Sequence, residues 1–400
     1  MARTLALVDF QAIGVGDHRR QAGLGAARGG DDARRCSALV GIAAGHRLTS
    51  AAEAGFAALD AAEPIAQRLH LTRERPRIAH LRGALYFARG DLGACAREHE
   101  RALAPAVETS DELLQAHALS GLADVLYANG RMASARRAYG DCVDLCERHG
   151  EIHFSLPNRN MMGICDFYLG DLPGALAQSA RARDAARRIG HRVAEVMADE
   201  VAGFVLAGAG HDAEAVEPIM RSLPLARAIG SRRFAAIDLV MLGHVARRAG
   251  DLAGARRHLD ESAELLEPIG PKFAGPMLLS ARARVAASRD EYARLMGEGE
   301  VLLADGALSH NHFWFRSDAI DVALEAGDAP GARRHADALE RYASVEPTPW
   351  SDFTVARARA LADVIDGRGD VAAVRALRAR AVALDLRAAL PVLDAALTGK

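Results

Sequence analysis

The chain has 400 residues, half of them hydrophobic, with 50 lysines and arginines against 52 aspartates and glutamates and a formal net charge of -2. Such a balance offers no field of one sign to attract nucleic acid or an anionic membrane, so neither is expected as a partner. No apolar run reaches the ~20 residues that span a bilayer, and 5 cysteines without CxxC spacing indicate neither a disulfide framework nor a zinc site, which fits a reducing cytoplasm.

Residues 1–32 are rich in Gly, Ala and Arg with weak periodicity, and read as a poorly ordered leader or the frayed remains of a repeat. The apolar stretch from Thr4 to Gly16 is interrupted by Asp9 and Gln11, against a secretory core. Lys272 and Lys400 are the only lysines, so the basic residues are almost all arginine, as GC-rich bacterial coding produces. From residue 33 to 400 the expectation is one helical array. Cys36 to Ala44 and Ser50 to Leu69 form its first helix pair, with Val40-Gly41 at the close approach.

A strict register follows over about 75–288. Gly90, Gly130, Gly170, Gly210 and Gly250 are each 40 residues apart, and Gly150, Gly190, Gly230 and Gly270 repeat at the same interval. Small residues recur in step at Gly83, Ala123, Gly163, Gly203, Gly243 and Ala283, and again at Cys95, Ala135, Ala175, Ala215 and Ala255. Internal repetition of this kind signals a solenoid, in which each helix pair completes its core against the next. Helix A of one repeat spans Arg232 to Ala249, with Phe234, Ile237, Met241 and Val245 at helical spacing. Gly250 ends it in a left-handed conformation and Asp251 caps helix B, whose expected buried stripe is Leu252, Ala255, Leu259, Ala263 and Leu266. The same Gly-Asp pair stands at Gly90, Gly170, Gly327 and Gly369. Three looser pairs follow, near 272–304, 309–343 and 350–384, so that the looser repeats occupy 289–400, before a last helix around Arg387 to Leu397.

This pattern resembles the tetratricopeptide repeat family: Leu242-Gly243, Gly250 and Ala255 stand in that order, as do Gly83, Tyr86 and Gly90. The expected fold is all-α, a right-handed superhelical solenoid of antiparallel helix pairs with a 40-residue period. In that family helix A lines the concave face where extended ligands bind. The resemblance therefore places His80, His117, Asp124, Tyr127, Asn160, Phe167, Tyr168, Glu200, Phe204, His244 and Arg247 on the binding surface, together with Asn158, His310, His312 and Trp314. Asn158 and Asn160 flank Arg159 and read as caps or groove contacts at the start of a helix A.

No GxxxxGK[ST], GxGxxG, HExxH or GxSxG motif is present, so no cofactor and no enzyme of those classes is expected. Cys142 and Cys146 share one helix face, but Cys142 stands one period from Ala102 and Ala182 and reads as packing. His310 and His312 with Asp318 could be metal ligands, yet a His-x-His pair in a helix points its rings ~200° apart. Packing at a helix start, around Trp314 and Phe315, is the simpler reading, and Trp350 after two prolines reads alike. An enzyme with an unrecognised site near His310, His312 and Trp314 remains the rival.

Several segments, among them Ile78 to Gly83, Pro157-Asn158-Arg159, Ile189 to Glu195, Ser309 to Glu325 and Pro349 to Phe353, resemble one context more closely. It is the C-terminal array of bacterial proteins that fuse a class III adenylate or guanylate cyclase and an AAA-type signalling ATPase to tetratricopeptide repeats. Neither the cyclase aspartates nor a phosphate loop is found here. The resemblance implies a regulatory module whose partner is a protein or peptide, including a cyclase or signalling ATPase acting in trans.

Overall fold

The computed structural model describes residues 31–48 and 52–398, and the expected leader, apart from Asp31 and Asp32, lies outside the described residues. Among those described, nineteen α-helices and one short 3-10 turn (Arg387–Ala389) account for the regular structure. In pairs they are α1 (Asp32–Leu48) and α2 (Ala52–Arg68), α3 (Glu74–Arg89) and α4 (Leu92–Glu108), α5 (Glu112–Ala128) and α6 (Met132–Arg148), α7 (Ile152–Tyr168) and α8 (Leu172–Ile189). Then follow α9 (Arg192–Ala209) and α10 (Asp212–Ala228), α11 (Arg232–Arg248) and α12 (Leu252–Leu266), α13 (Gly275–Ala283) and α14 (Arg289–Ala304). The last are α15 (Ser309–Glu325) and α16 (Ala329–Ala343), α17 (Pro349–Ile365) and α18 (Val371–Ala383), and the single α19 (Leu390–Thr398).

The turns explain this regularity. Left-handed residues stand at Gly90, Gly130, Gly150, Gly170, Gly190, Gly210, Gly230, Gly250 and Gly270, and His70 and Ser110 adopt positive φ at the places where glycine is missing from the series. At Gly90 (φ 77) the N-H bonds back to Phe87 O while that of Asp91 bonds to Tyr86 O, which satisfies two carbonyls of the ending helix. Asp91, Asp171, Asp251 and Asp328 then cap the next helix, each Oδ1 accepting from a backbone N-H three residues on at 2.8–2.9 Å.

Small residues close each pair, as the register requires. A Cβ at Gly243 would lie 2.7 Å from Leu259 Cδ2, and one at Gly163 would lie 3.0 Å from the Ala175 carbonyl. The two layers differ in burial. The B helix α12 buries one stripe, Gly254, Ala255, Leu259, Ser262 and Leu266, whereas the A helices α9 and α11 are buried nearly all round. Leu252 departs from the expected stripe: as the first residue of α12 it is 48% exposed, and Ser262, whose hydroxyl donates to Ala236 O at 2.9 Å, takes a buried place instead.

The register first slips after α12. Successive B helices start at Met132, Leu172, Asp212 and Leu252, but the next begins at Arg289, three residues early. Its partner α13 is only nine residues long and starts late, at Gly275, because Pro276 has no N-H to donate and is accommodated in a first helical turn.

The described residues pack as two compact units, one of residues 31–126 with 134–159 and the other of residues 127–133 with 160–398. No helix among the described residues is long and apolar enough to cross a membrane.

Candidate functional site

The second unit gathers polar side chains from several inner helices. Tyr127, at the end of α5, donates its hydroxyl to His310 Nδ1 (3.1 Å), and His310 Nε2 donates to the Phe273 carbonyl (2.7 Å). A carbonyl can only accept, so the imidazole is the neutral Nε2-H tautomer with both nitrogens engaged. Burial pushes its pKa down to about 4, keeping it neutral. Asn311 steadies the same loop: its amide donates to Phe273 O (2.8 Å) while its carbonyl oxygen accepts from Met277 N (3.2 Å). Phe273, fixed in this way, carries the Arg233 guanidinium 3.7 Å over its ring.

Arg233 in turn acts on Glu200, a buried carboxyl on α9. Burial raises Glu200 to about 8, and the positive charge of Arg233 offsets only part of the shift. Asp238 on α11 is 1% exposed and neither carboxylate oxygen has a well-formed hydrogen bond. Burial, then the neighbouring Glu200, pushes its pKa well above the carboxylate range. Asn160 is fully buried; its amide donates to Ala194 O (3.2 Å), but its carbonyl oxygen has no partner. These groups can present donors, one guanidinium and two carboxyls close to neutrality to a polar ligand.

Farther along the same helices the interior is aromatic. Phe204 packs against Trp314 (ring centroids 5.3 Å apart) and Phe167 (6.4 Å), and Tyr168 packs against Phe313 (4.6 Å) and Trp350 (5.5 Å). His244 lies 4.9 Å from the Trp314 ring and is held neutral by burial and by Arg248, Arg284 and Arg247. Beyond it runs an ionic chain. Arg284 contacts Asp318 (3.4 Å), Asp321 (2.7 Å) and Glu325 (2.6 Å), and Arg357 contacts Asp321 (2.5 Å). Burial alone would raise Asp321, but Arg357 and Arg284 outweigh it and hold the carboxyl at about 2. Half-buried Arg247 lies beside this chain, its pKa lowered by burial and by Arg284.

Several expectations change here. Tyr127, Asn160, Phe167, Tyr168, Glu200, Phe204, His244, His310 and Trp314, placed on the concave binding face by the resemblance, are all buried. The reason is that they pack on one another and on α15 and α17. His310, His312 and Asp318 do not converge on a metal. His310 is spent on Tyr127 and Phe273, His312 stacks on Tyr342 (3.9 Å, 7° between planes), and Asp318 accepts from Ser280 (2.8 Å). Among the described residues no group of three or more His, Cys, Asp or Glu is placed to hold a metal ion.

The first unit holds the remaining candidates. His80 and His117 lie 5.2 Å apart, ring to ring, and His80 is equally close to His99. His99 fills the space over Gly83 and Gly121, and burial takes its pKa to about 4. Asp124 accepts from the Tyr139 hydroxyl at 2.6 Å. Asn158 is no cap. It lies seven residues into α7, buried, its amide donating back to Phe154 O at 2.8 Å. Cys142 and Cys146 are buried thiols outside any disulfide, in keeping with packing.

Arg233, Phe273, Asp238 and Asn311 were not singled out in the sequence. Asp238 had a signal: it is the one charge within the apolar run from Phe234 to Leu242. Arg233 and Phe273 had none, because a loop brings them together.

No protein-family model matches the chain, and no curated protein matches its sequence. Solved structures do resemble it in three dimensions. One is a Rap protein complexed with competence and sporulation factor, 12% identical, with a TM-score of 0.56 over 91% of this chain and 97% of that one. Another is the Rap conjugation gene regulator of the plasmid pLS20 in complex with the Phr* peptide, 15% identical, with a TM-score of 0.56 over 81% and 92%. A third is the apo form of the quorum sensor NprR from B. thuringiensis, 12% identical, with a TM-score of 0.52 over 83% and 88%. The likeness is one of fold. It establishes the tetratricopeptide-like helical array, and at such identities it carries no residue of function across.

Proposed function

We propose that this chain is a non-catalytic regulatory scaffold that binds a peptide, or an extended segment of a partner protein, on the inner face of its second unit. The observation that carries this reading is the convergence of Tyr127, Glu200, Arg233 and His310 from separate helices, with the carbonyl oxygen of Asn160, whose amide bonds to Ala194 O of α9, unpartnered and the Asp238 carboxyl lacking a well-formed hydrogen bond. Buried polar atoms are rarely left unsatisfied, and a peptide backbone supplies the donors and acceptors that are missing. Two of the structural neighbours are complexes with a competence and sporulation factor and with the Phr* peptide, which supports a ligand of this class. In this reading Phe167, Tyr168, Phe204, His244, Arg247, His312 and Trp314 shape the rest of the inner face, while His80, His117, Asp124 and Asn158 serve a partner on the first unit.

Affinity capture from the native host, followed by calorimetry with the captured peptide, tests the proposal. Glu200→Gln and Asn160→Ala should each weaken binding by about tenfold, the loss of one buried polar contact, while the helical circular dichroism stays unchanged. Capture that persists undiminished in both variants rejects the inner face as the site.

The segments that resemble cyclase-ATPase fusion proteins motivate a more specific second reading, in which the partner is a signalling ATPase or cyclase regulated in trans. Adding the purified chain to such an enzyme should change its nucleotide turnover. Unchanged turnover at saturating chain rejects this version without touching the first. The rival enzyme reading loses its best base, since His310 has no ring nitrogen to spare.

A further inference from the structure

Three turns of the second unit hold left-handed glycines at 40-residue intervals: Gly130 after α5, Gly170 after α7 and Gly210 after α9. Each is covered by a residue from the C-terminal third of the chain. A Cβ at Gly130 would lie 2.8 Å from Tyr342 Cε1, and the Tyr342 hydroxyl donates to the Ala128 carbonyl at 3.4 Å. At Gly170 a Cβ would lie 2.7 Å from Leu384 Cδ2, and at Gly210 it would lie 2.7 Å from the Cα of Ala388. By contrast Gly90 and Gly250, the same turn in neighbouring repeats, have nothing within 4 Å.

Polar contacts reinforce the seat at Gly210. His211 Nε2 and Asp385 Oδ2 are 2.9 Å apart, close enough to attract although not aligned as a hydrogen bond, and Arg387 reaches Glu214 at 3.5 Å. The covering segment leaves α18 through Asp385 (φ 51), whose N-H bonds to Val382 O (3.1 Å) while that of Leu386 bonds to Ala381 O (2.8 Å). The helices ending under the cover are those that carry Tyr127, Asn160, Phe167, Tyr168, Glu200 and Phe204.

We propose that Tyr342, Leu384 and Ala388 form a clasp seated on three successive turn glycines, which closes the inner face of the second unit and must lift before a ligand enters. The proposal rests on the inner face being the binding site, but the closure itself can be tested with no ligand. Trp314 is the reporter, since it packs on Phe204 and lies against Gly208, two residues before Gly210. The chain has 2 tryptophans, so Trp350→Phe leaves Trp314 alone.

In that background, Gly210→Ala puts a methyl group where the Ala388 backbone sits, and Gly250→Ala carries the same left-handed strain (φ 83 against 87) with nothing to displace. Acrylamide quenching of Trp314 should be about threefold greater in Gly210→Ala than in Gly250→Ala, with faster hydrogen exchange over residues 384–398. Equal quenching and equal exchange in the two variants overturn the clasp. Should Gly210→Ala not fold, the double variant Leu384→Ala with Arg387→Ala removes two clasp contacts without adding bulk. It carries the same expectation, and unchanged quenching again overturns the proposal. A peptide that fails to bind the wild-type chain would count against the proposed function and leave this quenching comparison standing.

Discussion

Arg284 shows what a single buried charge decides in this protein. Its side chain is 4% exposed and is shared among Asp318, Asp321 and Glu325, with Arg357 completing the charge count on Asp321. Replacing it by methionine keeps most of the volume but leaves the buried Asp318 without its guanidinium and Asp321 with Arg357 alone, and breaking a buried pair in this way costs about 3–5 kcal/mol. Urea denaturation of Arg284→Met should show that loss; a change below about 1 kcal/mol would mean the chain of charges is dispensable. Residues of this kind were the least legible in the sequence. An arginine in a chain with 50 basic residues announces nothing, and Arg284 becomes buried only because α13 ends at Ala283 and turns it towards α15. Glu200 was legible as an inner-face position because the period places it one repeat after Asn160. Its partner Arg233 was not, since the guanidinium is seated on Phe273 from the irregular turn before α13.

At the scale of helices the sequence is read more easily, because caps and close approaches depend on one or two residues each. The glycine series, the Gly-Asp pairs and the 40-residue interval fixed the ends of α6 to α12, and only the proline-bearing segment at 270–276 broke the count. Two substitutions follow from the same rules. Ser110 holds φ 54 where the series elsewhere has glycine, so Ser110→Gly should relieve strain and raise stability by about 0.5–1 kcal/mol. Gly243→Ala should lower it by about 1–3 kcal/mol, because the added methyl would meet Leu259, itself fully buried and unable to retreat. Thermal denaturation of the two variants separates the effects by sign; a stabilised Gly243→Ala would show that the α11 and α12 contact is looser than its geometry states.

For the molecule as a whole, burial of titratable groups sets a pH dependence of stability with two opposed limbs. His99, His310, His312 and His335 are held at about 4 by burial, against about 6.5 in an unfolded chain. Over that interval the unfolded state binds protons that the folded state refuses, so their contribution is complete above about pH 6.5 and is lost as the pH falls towards 4. Glu200, raised to about 8 by burial, and Asp238, raised in the same direction, act oppositely. Their folded forms keep a proton that the unfolded chain gives up near pH 4, so their contribution is present at low pH and is lost as the pH rises, for Glu200 towards 8. Between 4 and 6.5 these four histidines, joined by His244, outnumber the raised carboxyls Glu200, Asp238 and Asp318, and stability climbs with pH. Above 6.5 the histidine contribution is constant, and only the carboxyl loss remains. Stability should therefore peak near pH 6.5 and decline by about 1–3 kcal/mol per pH unit up to pH 8, each unmatched proton being worth about 1.4 kcal/mol per unit. Glu200→Gln cannot ionise and should remove about one proton's share of the alkaline slope while leaving the acid limb as it is. Urea midpoints measured from pH 4 to 8 decide this: a profile flat from 6.5 to 8, or the same alkaline slope in the variant, would show that Glu200 reaches solvent and is not the buried proton-holding group of the inner face.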